Sequence, residues 1–185
     1  MSGPLEVLWL GRMDFAVALA RQEELVRERR AHPEAPDELW LLEHEPVYTI
    51  GRTPNRLSLR GATHLPHPLF EINRGGQATY HGPGQIVAYP IIDLKPDRCD
   101  VHRYVRDLEE VLIRVAADYG ISAKRIEGLT GVWVGEEKLA AIGVRISRWI
   151  TSHGFALNHA TNLSHFDLIV PCGIADRGVT SLAKL

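Results

Sequence analysis

The sequence predicts an α+β protein, on two observations. Apolar residues at helical spacing are confined to two separated stretches, and the rest of the chain breaks into short strand-like runs punctuated by glycine or proline. Runs of strands interrupted by two separate helices are the pattern of α+β packing, with both helices lying on a sheet.

In chain order, "EVLWL" opens as a strand and "DFAVALARQEELVRERR" follows as the first helix. Asp14 is its candidate N-cap, and Phe15, Ala18, Leu19, Leu25 and Val26 share one face. "PEAPDE", 33–38, reads as a loop. "ELWLLEH" and "VYTIG" are strands, "RGATHLPHP", 60–68, is a second loop, and "LFEINR", "ATYH" and "IVAYPIIDL" are strands again. "DVHRYVRDLEEVLIRVAADYG" is the stronger helix, capped by Asp100 and stopped by Gly120. Its predicted stripe is Val101, Tyr104, Val105, Leu108, Val111, Leu112, Val115 and Tyr119. "GVWVG" and "KLAAIGVRIS" form a hairpin turning at 135–137, and "ITSHGFALNH" is the last strand.

With 185 residues, 45% hydrophobic, 24% charged and a formal net charge of −2, the composition is that of a soluble globular chain, read as one domain over 1–185. Charges of both signs are interspersed, so no nucleic-acid surface is expected. The start carries no secretory signal and no run reaches membrane-spanning length, so a cytoplasmic, membrane-free protein with reduced thiols is expected. Cys99 and Cys172 sit in unlike contexts, which disfavours a disulfide.

The stretch "NRGGQATYHGPGQIVAYP", 73–90, holds Gly75, Gly76, Gly82 and Gly84 around a short strand. It has neither the Gly-Lys-Ser/Thr of a phosphate loop nor a dinucleotide fingerprint. It reads either as two tight turns or as a substrate-lining wall, where glycines admit a ligand to the backbone beside Arg74, Tyr80 and His81. Nine histidines occur, but without H-E-x-x-H or C-x-x-C spacing, so no metal is expected.

Cys172 lies between Pro171 and Gly173, which fix a bend that would present the thiol. The competing reading is a small buried hydrophobe. An unaided cysteine is only about 3% thiolate at pH 7, and lowering its pKa to about 6.5 would ionise roughly three quarters. A catalytic cysteine therefore needs a cation. Lys138, opening the apolar run "KLAAIGVRI", is the candidate, against the alternative of a solvated turn lysine.

Taken together, the blocks at 41–52, 74–94, 131–158 and 169–182 resemble the bacterial octanoyltransferases of lipoate biosynthesis (lipoyl(octanoyl) transferases, the lipoate-protein ligase B type). The resemblance implies the biotin/lipoate protein ligase catalytic fold, a mixed β-sheet packed with α-helices. It implies that an octanoyl group passes from the phosphopantetheine thioester of acyl carrier protein to Cys172, then to a lysine of a lipoyl domain. Acceptors in the family are lipoyl domains of 2-oxoacid dehydrogenases and the H protein of glycine cleavage. No cofactor is implied beyond the phosphopantetheine that the carrier brings, and a monomer is expected.

By the same resemblance, Lys138 lowers the thiol pKa. Arg74, Gly75, Gly76, Gln77, Ala78, Thr79, Tyr80 and His81 bind substrate. So do Ala141, Ile142 and Gly143, and also Gly154, Phe155 and Ala156. His44 and His81 line the same pocket. The second step needs a proton acceptor for the attacking amine, expected to be Lys138 with His81 as the alternative. Family members continue beyond "VTSL", so a C-terminal tail is expected to be missing. The rival readings are an ATP-dependent lipoate or biotin ligase, a silent acyl-binding domain and a cysteine hydrolase.

Overall fold

The computed structural model of the protein describes residues 4–52, 56–59, 64–170 and 177–185. Its main sheet has seven strands: β1 (Leu5–Met13), β2 (Asp37–His44), β6 (Gln85–Ile91), β7 (Lys124–Ile126), β8 (Leu129–Val134), β9 (Glu137–Ser147) and β10 (Ile150–Asn158). Their order is β1-β2-β6-β10-β9-β8-β7. Only the β1–β2 pair is parallel, joined across α1 (Phe15–Ala31), so the sheet is mixed as expected. A second sheet of three strands sets β3 (Val47–Ile50) between β4 (Leu69–Glu71) and β5 (Thr79–His81). α2 (Val101–Asp118) completes the long elements among the described residues.

The two helices cover opposite faces of the large sheet. Ala18 of α1 packs with Trp40, Leu42, Val87, Tyr89 and Ala156, whereas Leu108 and Leu112 of α2 pack with Val132, Ala140 and Leu157. Neighbours on β10 thus serve opposite cores, as strand alternation requires. Both caps form: Asp14 accepts from the Val17 N–H and Asp100 from the Arg103 N–H. α2 ends in a Schellman arrangement, with the Ile121 N–H on the Ala116 carbonyl and the Gly120 N–H on that of Ala117, Gly120 taking a φ of 75°.

Several sequence expectations need correction. Val101, Val111 and Tyr119 of the predicted stripe are 43%, 50% and 62% exposed, because α2 presents a narrow face to the sheet and these positions sit on its flanks and end. The α1 face carries two buried polar residues, Gln22 and Arg29. The loop read at 33–38 stops at residue 36, since Asp37 and Glu38 pair with β1. "LFEINR" is a strand only to Glu71, "IVAYPIIDL" only to Ile91, and β7 was not foreseen. Among the described residues no helix is long and apolar enough to cross a membrane.

Candidate active site

Between the two sheets lies a narrow slot. The glycine-rich stretch supplies one wall through Arg74, Gly76, Thr79 and His81. The facing wall comes from Val87 and Tyr89 of β6, Ala141–Ile142–Gly143 of β9 and Gly154–Phe155–Ala156 of β10, with Phe15 of α1 beside it. Backbone forms much of the lining, which is why glycine is needed there. A Cβ at Gly143 would stand 2.9 Å from the Arg74 side chain and 3.0 Å from the Gly75 carbonyl, and one at Gly154 would overlap the Ala88 carbonyl.

Arg74 braces this wall. Its guanidinium donates to the Thr49 hydroxyl at 2.8 Å and to the Gly75 carbonyl at 2.9 Å. The imidazoles have tautomers set by their partners. His81 Nδ1 faces the Gln85 side-chain carbonyl at 2.7 Å, and Gln85 Nε2 is committed to the Tyr80 carbonyl and Asn158 Oδ1. His81 therefore donates from Nδ1 and keeps its lone pair on Nε2. In the same way His44 Nδ1–H donates to the Met13 carbonyl, and the Tyr89 hydroxyl donates to His44 Nε2 at 2.7 Å.

Burial holds these rings neutral. It lowers His81 from 6.5 to about 3, with His44 close by adding to the effect; it lowers His44 and His153 to about 4, the Arg74 cation adding to it at His153. All three folded-state values lie below the unfolded value near 6.5, so the unfolded chain binds more protons as pH falls. Their contribution to stability is complete above about pH 6.5 and is lost as pH drops toward 4, at about 1.4 kcal/mol per pH unit for each ring. Urea midpoints measured at pH 7, 6 and 5 are expected to fall at each step, most steeply between 6 and 5.

Lys138 sits where β9 breaks phase. Trp133 pairs with Lys138 and Val132 with Ala140, which leaves Leu139 as the extra residue of a β-bulge. Leu139 and Ala140 both enter the α2 core. Strict alternation from Ala140 would send Lys138 there as well; the extra residue turns it to the opposite face, beside Trp133. The side chain is 4% exposed, so it is not a solvated turn lysine. Its Nζ lies 4.7 Å from the Trp133 ring centroid and has no hydrogen-bond partner among the described residues. The chain returns alongside: Lys138 N–H donates to the Gly178 carbonyl at 2.9 Å and its carbonyl accepts from Thr180 at 3.0 Å. The cavity around Lys138 adjoins the slot, the two sharing Thr79, Ala141 and Ala156 in their linings.

Other expected residues fall elsewhere. Gly75 lines a wider groove that also reaches Lys138. Ala78 and Tyr80 point into a core with Tyr48 and Phe166, since strand alternation sends every second residue of "ATYH" away from the slot, and Gln77 also stays off it. His44 is fully buried behind the slot and touches its lining through Phe15 and His81, ring centroids 5.2 and 5.8 Å away, and through Tyr89. Cys172 lies outside the described residues. Phe15, Ile72, Val87, Tyr89 and His153 line the slot without having been foreseen. The alternation of Val87 and Tyr89 along β6 was a usable signal; His153 has a left-handed φ of 54° that no residue pattern announces.

Residues 14–185 match the lipoyl protein ligase A/B catalytic domain. The octanoyltransferase of Synechococcus elongatus is 53% identical, over 95% of this chain and 77% of that protein. The octanoyltransferase of Rubrobacter xylanophilus is 54% identical, over 94% and 80%. Among solved structures, the bipartite lipoate protein ligase from Thermoplasma acidophilum superposes with a TM-score of 0.70 at 16% identity, over 98% of this chain and 74% of that one. A lipoate-protein ligase A bound with ATP gives 0.68 at 16% identity, over 99% and 77%. These two speak for the fold, and the curated relatives for the activity. The chain belongs to the lipoyl protein ligase A/B catalytic-domain family, and it stands there with the octanoyltransferases.

Proposed function

We propose that the chain transfers octanoyl groups in two steps, from acyl carrier protein to the Cys172 thiol and then to a lysine of a lipoyl domain, with Lys138 as the charge partner of the thiolate. The relatives that match most of the chain are octanoyltransferases. The observation that carries the residue roles is Lys138: a buried lysine whose Nζ has no hydrogen-bond partner among the described residues, in a cavity that adjoins the apolar slot. An isolated buried cation costs several kcal/mol, and a nearby thiolate would offset that cost.

In the first step the thiolate sulfur attacks the thioester carbonyl. A new C–S bond forms, the bond to the phosphopantetheine sulfur breaks, and the departing thiolate takes a proton from Lys138. In the second, the neutral acceptor amine attacks the Cys172 thioester. The amide bond forms, the C–S bond breaks, and the amine proton passes to Lys138, which restores the ion pair. His81 is the weaker candidate for that proton, because burial has pushed its pKa to about 3. The acceptors proposed are lipoyl domains of 2-oxoacid dehydrogenases and the glycine cleavage H protein.

Incubation with octanoyl-acyl carrier protein is expected to add one octanoyl mass, labile to hydroxylamine, that moves to an added lipoyl domain. Product appearing only with ATP and free octanoate, with pyrophosphate released, would instead assign a ligase. Lys138→Met is expected to slow acylation about 25-fold at pH 7, as thiolate content falls from roughly three quarters to about 3%. The deficit should close toward pH 9, where the thiol ionises unaided. A loss independent of pH would remove the pKa role from Lys138.

A further inference from the structure

The slot ends at a thin wall. Ile72 and His153 line it from inside and also line a second groove, walled mostly by polar side chains, that runs beside α1. From Ala156, where the slot meets the Lys138 cavity, to His153 is three residues of β10, about 10 Å. An extended eight-carbon chain spans that distance. We infer that His153, with Ile72, is the stop that limits acyl-chain length: a chain held as a thioester at the Lys138 end meets the imidazole with its terminal carbons. The inference rests on the acyl-transfer reading for the direction in which the chain lies.

Three features make His153 a stop rather than a passive lining residue. It is a non-glycine strand residue at a φ of 54°, a conformation that costs of order 1–2 kcal/mol and persists only where the surroundings impose it. Its N–H is held by Gln22 Oε1 at 3.0 Å, and its ring stands edge-on to Tyr89, centroids 6.4 Å apart. Alternation along β10 would otherwise place the side chain on the face opposite Ser152 and Gly154, and this end of the slot would open toward α1. Beyond the wall the lining changes character. Gln22, Arg145, Ser147 and Ser152 face the groove, so a longer chain would strip water from polar groups without replacing it.

The test measures acylation rates with acyl carrier proteins loaded with 8-, 10-, 12- and 14-carbon chains, read as intact mass. His153→Gly is the primary variant, because glycine adopts this φ without strain and the strand should keep its path. The ratio of 12-carbon to 8-carbon acylation is expected to rise at least tenfold, through faster reaction of the longer chain. Ile72→Ala opens the same wall from the other side and should move the ratio in the same direction. An unchanged ratio in both variants overturns the inference, as does a rise produced only by slower 8-carbon acylation. Calorimetric affinities for free octanoate and dodecanoate read the wall without any thioester. A shift toward dodecanoate in the variants with no covalent adduct on wild type would keep the stop and sink the thioester.

Discussion

Cys172→Ser is expected to leave no octanoyl adduct and to lower transfer to a lipoyl domain by ~10³-fold or more, the scale on which removal of a nucleophile acts. Serine matches cysteine in shape, but its hydroxyl stays protonated near pH 7, and the Lys138 ammonium is an acid that cannot take its proton. The histidines offer no substitute base. His44 is closed off by Met13 and Tyr89, and His81 Nε2 faces the Thr49 hydroxyl at 3.4 Å and belongs to a ring with a pKa near 3. Cys99 provides the internal control: it is exposed, with its sulfur on the Leu94 carbonyl, and Cys99→Ser should keep the full adduct. Intact mass with and without hydroxylamine checks both variants. An adduct that survives in Cys172→Ser would take the thioester away from this residue.

The largest effect on stability is expected at Asp37. Its carboxylate accepts from Arg29 Nη2 at 3.0 Å and from the Asp93 N–H at 2.8 Å, with Arg98 at 3.5 Å. Arg29 and Asp37 side chains are 4% and 8% exposed. The pair joins the end of α1, the start of β2 and the segment leading from β6 to α2. Asp37→Ala strands the guanidinium in the interior with two carbonyl acceptors, those of His32 and Pro33. Breaking a buried pair from one side costs about 3–5 kcal/mol. Urea denaturation should show that loss as a lower midpoint at unchanged slope. A change below ~1 kcal/mol would mean that water reaches the pair.

What could be read from the sequence divides along a physical line. Features written in nearest neighbours were legible: the Asp14 and Asp100 caps, the Gly120 stop, the hairpin after Gly135 and the separation of two helices by runs of strands. The motif also names Arg74, Thr79 and Gly143, which the fold places on the slot. Features that depend on distant partners were not legible. Gln22 and Arg29 look like surface residues until the His153 N–H and Asp37 meet them. Tyr80 and Ala78 sit inside the motif but serve the core, because a motif is contiguous along the chain while a strand divides its residues between two faces. The direction of Lys138 and the backbone of His153 each depend on one local departure from strand geometry, and no residue type marks either.

The bulge at Leu139 has a consequence for the length of the chain. Because one surplus residue decides which face Lys138 serves, deleting a turn residue such as Glu136, so that Trp133 pairs with Leu139 and Val134 with Lys138, would carry the lysine to the far side of the sheet with its identity intact, whereas deleting Leu139 itself would leave Lys138 beside Trp133. The protein without Glu136 would retain every other named side chain, would fold around the same sheet, and would lack the site. A deletion at 139 is therefore expected to keep the lysine on its face and one at 136 to lose it, and deletion scanning across the hairpin should separate the two.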